Sequence, residues 1–147
     1  MIRHAVLIAV ALSAAGCGRS KPEKAKAAAD PVPFTLACTG SLVSETDVTL
    51  ASLNFSVTID AANSEALVSN IASDRADFLP PAMEGRNGDI VKLSANDREI
   101  AVDLNLGTRR DNENRVVLDR RTGKFTGPSS LGSCAKAALI PLPGQKF

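Results

Sequence analysis

The chain contains no tryptophan and no tyrosine, only five phenylalanines, and a single histidine, His4. Glycan grooves and high-affinity protein interfaces lean on Tyr and Trp, so a binding surface here has to work with small, aliphatic or charged side chains. Without a second histidine, Ser-His-Asp and Cys-His catalysis have no general base in the folded part, and histidine-based zinc sites have no ligands. No apolar run reaches the roughly 20 residues of a spanning helix. The longest, Ala5–Ala15, is about half that. Charge is balanced, with 17 Lys and Arg against 16 Asp and Glu, so no bulk field draws the chain to nucleic acid. At 147 residues it has room for one domain.

The apolar run follows a short basic start, Met1–His4, and has the length of a signal-peptide core. It closes on Ala14-Ala15-Gly16-Cys17. This stretch resembles the lipobox of bacterial lipoproteins, with Ala14 where leucine is usual. The resemblance implies cleavage before Cys17 and acylation of its thiol, with two or more acyl chains giving stable membrane retention. Gly18 follows, where inner-membrane lipoproteins typically carry Asp, and this implies the outer membrane, facing the periplasm. Cleavage also removes His4 and Arg3, leaving Lys and Arg equal to Asp and Glu.

Four segments follow from this reading: a leader over 1–16, a lipid-anchored spacer over 17–33, a domain over 34–137 and a tail over 138–147. The spacer is rich in Lys, Ala and Pro and holds one large apolar residue, Val32, too little to offset its ordering entropy. Lys21, Lys24 and Lys26 are either ordinary solvated linker charges or neighbours of anionic head groups. The tail carries Pro141 and Pro143, which blunt strand pairing; it docks across the domain or frays.

With Cys17 acylated, an odd set of three cysteines becomes a pair. Cys38 and Cys134 sit at the two ends of the domain in an oxidising compartment, and are predicted to form a structural disulfide. No C-x-x-C motif suggests redox chemistry.

Two-residue alternation dominates the domain. Phe34, Leu36 and Cys38 share one face, with Thr35, Ala37 and Thr39 opposite; Phe55, Val57 and Ile59 repeat this against Ser56, Thr58 and Asp60. Ile100, Val102 and Leu104 repeat it against Glu99, Ala101, Asp103 and Asn105, and Val116 and Leu118 fit the same period. This is the pattern of half-buried antiparallel strands. Turn signals separate them: Pro80-Pro81, Asn87-Gly88 before Ile90–Leu93, Ser94–Asp97 before a strand over Arg98–Leu106, and Asp119–Gly123 before Lys124–Thr126. Ala61–Ala72 fits either a helix capped by Asp60 or a hairpin return over Ala66–Ile71; the strand is preferred. The expected fold is mainly β, a single antiparallel sheet or small barrel of about six to eight strands, closed by the disulfide.

The ending VVLDRRTGKFTGPSSLGSC resembles that of many small alphaproteobacterial envelope proteins, in Leu118, Asp119, Arg120, Thr122, Gly123, Phe125, Gly132 and Cys134. The opening Phe34-x-Leu36-x-Cys38-x-Gly40 fits the same family, which brings no activity with it. A weaker resemblance is to membrane-bound inhibitors of c-type lysozyme, which are lipid-anchored β-barrels with one cysteine in the first strand and one near the end. The chain lacks their Ser-Gly-x-x-Tyr motif, so no inhibitory residue is carried over.

Elements of penicillin-recognising enzymes (Ser133-x-x-Lys136, Ser94-x-Asn96, Arg121-Thr122-Gly123) occur in the wrong order and in too short a chain. Asp111–Asn114 reads as a polar loop rather than a calcium site, and Asp74 with Asp77 as solvated loop carboxylates. No metal and no cofactor is expected. Charge is unevenly spread: residues 32–108 hold four basic and eleven acidic side chains, residues 109–147 eight basic and three acidic. Arg109, Arg110, Arg120, Arg121 and Lys124, with Arg115, either bind anionic groups of an envelope protein or polymer, or balance the acidic strand beside them. The expected function is a non-enzymatic envelope module held to the membrane by its lipid, without nucleic acid as partner; the alternative is an inhibitor-like binder of a hydrolase.

Overall fold

In a computed structural model, residues 33–104 and 114–144 are described. They form eight strands: β1 (Phe34–Val43), β2 (Thr49–Asp60), β3 (Glu65–Ala72), β4 (Asp89–Ala95), β5 (Glu99–Asp103), β6 (Arg115–Asp119), β7 (Lys124–Gly127) and β8 (Ser130–Ala137). Each pairs antiparallel with the next, and β8 returns to β1, so the sheet closes into a barrel with no free edge. The expected β class, strand number and closing bridge are those observed. Cys38 and Cys134 stand directly opposite each other on β1 and β8 and are joined, with Cα atoms 4.0 Å apart.

The alternation explains the barrel. Its inward row on β2 is Ala51, Leu53, Phe55, Val57 and Ile59, all buried, and Ile100, Val102, Val116, Leu118 and Phe125 meet it from the far wall. The rings of Phe55 and Phe125 pack edge to face, centroids 5.0 Å apart. Gly40 and Gly132 face each other across the β1–β8 seam, two residues from the bridge. A Cβ on Gly132 would run into Thr39 O, Gly40 Cα and the Phe125 ring. Phe125 is the β7 partner of Gly132, so its ring takes the space a side chain on Gly132 would need.

Residues 61–72 take the strand alternative. Asp60 organises a turn rather than a helix start: Oδ1 accepts the Asn63 amide and Oδ2 the Asn63 side-chain NH2. Ser64 supplies the left-handed residue, at φ 56°, and β3 returns beside β2. A bulge interrupts β3 at Asn70, φ 55°. Beyond it, Ile71 bonds to a side chain instead of a strand: its N–H donates to Asn87 Oδ1 at 2.7 Å, and its carbonyl accepts from Asn87 Nδ2. Loop 73–88, with a short 3-10 turn at Ala76–Phe78, closes this end of the barrel, and its Met83 is 3% exposed and belongs to the core.

The expected polar face of β1 and β2 is corrected in one respect. Thr35, Ser56, Thr58 and Asp60 point outward as expected but are buried. The tail accounts for Thr35 and Thr58. The Ile140 N–H donates to Thr35 Oγ1 at 2.9 Å, and Thr58 Oγ1 donates to the Ile140 carbonyl at 2.8 Å. The two hydroxyls are 2.7 Å apart. With Thr58 donating to the carbonyl, Thr35 donates to Thr58, and the four groups close a ring in which each hydroxyl gives one bond and takes one. At Ile140 the chain therefore bridges the outer faces of β1 and β2. Leu142 is 4% exposed, and the outward-facing Leu67 of β3 is 5% exposed. Of the two fates read for the tail, it docks. Ala101, also read as an outward residue, is buried between Ser94 and Val117 on the flanking strands.

Replacing Thr58 with Val keeps the volume and leaves the Ile140 carbonyl and the Thr35 hydroxyl short of a partner. A loss of about 1–3 kcal/mol is expected in urea denaturation. A loss below about 0.5 kcal/mol, smaller than a typical net hydrogen bond, would mean that the ring contributes nothing.

Candidate functional site

Antiparallel order sorts the connections between the two ends of the barrel. The chain enters at Phe34 and leaves at Ala137 at one end, which also carries turns 61–64, 96–98 and 120–123. The opposite end carries the β1–β2 link, loop 73–88, Leu104 and Asn114 at the facing ends of β5 and β6, and Pro128-Ser129.

Of the residues read as an anion-binding patch, Arg120, Arg121 and Lys124 come together in the β6–β7 turn at the entry end. Asp119 shapes that turn. Its Oδ1 accepts the backbone N–H groups of Arg121 at 2.8 Å and Thr122 at 2.9 Å. Gly123, at φ 71°, then turns the chain, and its carbonyl receives the Cys134 N–H at 2.7 Å. The Asp119–Gly123 turn read from the sequence is present between β6 and β7. The neighbouring β4–β5 turn is built alike, with Asn96 Oδ1 accepting from Arg98 and Glu99. The turns are tied together: Arg120 N–H donates to the Arg98 carbonyl, and its guanidinium to the Asn96 carbonyl at 3.2 Å. Sequence reasoning left Arg98 out of the patch. The signal was available, because adjacent hairpins in an antiparallel sheet place alternate turns at the same end. An open cleft of about 490 Å³ runs here between Arg98 and Glu99 on one side and Asp119, Thr122 and Lys124 on the other.

Arg109, Arg110 and Cys17 lie outside the described residues, as do Asp111–Glu113. The residues flanking the first two, Leu104 and Asn114, hydrogen-bond to each other at the opposite end. The charge-balancing alternative applies to part of the patch. Asp103 pairs in register with Lys92 on one side and Arg115 on the other, whereas Glu99 stands opposite Asp119. Asp74 and Asp77 are loop carboxylates: Asp74 accepts the Ser52 amide at 2.7 Å, and Asp77 pairs with Arg75 at 3.1 Å.

The Thr122 and Arg121 amides hold the Asp119 carboxyl below its ordinary value. Because the folded value is depressed, the turn's stabilisation is complete above the unfolded pKa and fades as pH falls through the folded one. A carbon-detected NMR titration is expected to place the Asp119 midpoint below 3.8, with the Arg121 and Thr122 amide shifts following it. A midpoint at or above that value would contradict the capping role.

The barrel interior is filled. A void of about 10 Å³, bounded among others by Phe55, Met83, Val102 and Val116, lies at the lower limit for one water, and its walls are apolar. Eight strands leave an interior that side chains fill or that holds one small ligand; here side chains fill it. A second open cleft, about 630 Å³, lies at the far end between Pro80–Ala82, Arg115 and Gly127–Ser129. Among the described residues no group of three His, Cys, Asp or Glu side chains is placed to hold a metal, and no helix is long and apolar enough to cross a membrane. Comparison of the chain with protein-family models, curated proteins and solved structures finds no match.

Proposed function

We propose that the chain is a lipid-anchored envelope module that acts through the outside of its barrel, without catalysis, at the periplasmic face of the outer membrane. One observation carries this reading. The bridge uses two of the three cysteines to close the barrel, leaving Cys17, at the end of the apolar leader, as the odd thiol. Such a bridge suits an oxidising compartment. The filled interior favours contact through turns and outer faces over carriage of a ligand inside.

A Cys17→Ser variant tests the anchor. Expressed in a Gram-negative host, the native chain is expected in the outer-membrane fraction and the variant in the soluble periplasm. A native chain found in the soluble fraction would overturn the reading. The placing of one cysteine in β1 and the other in β8 favours a second reading, a binder of lysozyme-type hydrolases. Stoichiometric co-purification of a hydrolase from solubilised envelopes, with loss of its activity, would select it.

A further inference from the structure

We infer that the entry end of the barrel, through Arg98, Arg120, Arg121 and Lys124, rests against the phosphate groups of an anionic lipid surface. The inference builds on the proposed anchor, and two independent observations meet in it. The first is topological: β1 begins at the end that carries turns 96–98 and 120–123, so an acyl chain on Cys17 attaches the domain by that end. The second is the sorting of charge along the barrel axis. The 119–124 turn holds three basic side chains, all exposed, against Asp119, which is engaged with its own turn amides. Arg98 adds a fourth from the next turn, and Lys136 lies on β8 beside the chain entry, its Nζ 5.9 Å from the Phe34 ring centroid. Asp60, Glu65, Asp97 and Glu99 share this end, so it is mixed as a whole, and its positive part is the β6–β7 side.

The far end is acidic. Glu45, Asp47, Asp74, Asp77, Glu84, Asp89 and Asp103 stand there against Arg75, Arg86 and Arg115. An anionic leaflet therefore attracts the β6–β7 turn and repels the opposite end, so both terms favour the same orientation within a Debye length of about 10 Å at 0.1 M salt. The Arg120 guanidinium bond to the Asn96 carbonyl ties the β6–β7 turn to the β4–β5 turn, so the two turns present their basic side chains together.

The patch can be tested apart from the anchor. Residues 17–147 carrying Cys17→Ala retain every described element and have no site for acylation. This chain is expected to co-sediment with phosphatidylglycerol vesicles at low salt, to be released as salt rises, and to ignore phosphatidylcholine vesicles. Each basic side chain at an anionic surface raises the partition about fivefold, so an added R120Q/R121Q/K124Q triple is expected to weaken binding on the order of a hundredfold. If the triple loses the Arg120 bond and unfolds by far-UV circular dichroism, R121Q/K124Q serves, with about a twenty-fivefold loss expected. Absence of binding to phosphatidylglycerol at low salt overturns the inference. So does unchanged binding by the folded variants, which would assign the affinity to Lys21, Lys24 and Lys26. Neither outcome bears on acylation of Cys17, which the fractionation above reads separately.

Discussion

Replacing both Cys38 and Cys134 with alanine is expected to lower the stability of the barrel by about 4–5 kcal/mol and its thermal midpoint by about 15–20 °C. The bridge spans 96 positions, nearly the whole domain, and in the chain-entropy picture its effect falls on the unfolded chain, which loses freedom in proportion to the logarithm of the loop. The folded barrel needs it less. β1 and β8 pair from Thr35↔Ala137 to Leu42↔Ser130, and those bonds remain when the sulfur link is cut. The double variant should therefore keep its far-UV circular dichroism at low temperature while unfolding at lower urea. A midpoint unchanged within error would mean that the unbridged chain is already held compact when unfolded. Loss of the β spectrum at low temperature would mean that the seam depends on the bridge itself.

The second large effect centres on Phe125. The ring is 1% exposed, packs edge to face on Phe55 and covers Gly132, so Phe125→Ala is expected to cost about 3–5 kcal/mol. The reciprocal change, Gly132→Val, inserts atoms where Thr39 O and Gly40 Cα already stand. Both belong to β1, whose two ladders hold it on either side, and overpacking of this kind costs about 3 kcal/mol or more. Shrinking Phe125 in the Gly132→Val background should recover little, because two of the three obstructing atoms are backbone. Full recovery in the double variant, measured by urea denaturation, would show instead that the ring alone sets the constraint.

The interior of the barrel was readable from alternation because its side chains are large: Phe55, Val57, Ile59, Ile100, Val102, Val116 and Leu118 all point in and all are buried. The turn residues were readable for the same local reason, since Asp119 and Gly123 act within a few positions of themselves. The outer face of β1 and β2 was not. A threonine followed by an apolar residue looks solvent-facing until something covers it, and the cover for Thr35 and Thr58 is Ile140, 105 and 82 positions away. Met83 was hidden for a similar reason: one apolar residue among loop signals has no periodicity to reveal that it plugs the barrel end. β8 shows little hydrophobic alternation because its inward positions hold Gly132 and Cys134, whose space is taken by the Phe125 ring and the bridge. Of the site, the Arg120–Lys124 turn was visible as a cluster of charge. Its partnership with Arg98 became visible only once the strands were placed in order.

Mass spectrometry of the protein taken from its own envelope without reductant tests the central claim most directly. The account predicts a chain beginning at Cys17, carrying the mass of acyl groups there, with Cys38 and Cys134 recovered in one linked peptide pair. A chain still bearing residues 1–16, with Cys17 unmodified and two thiols open to alkylation at Cys38 and Cys134, would contradict it.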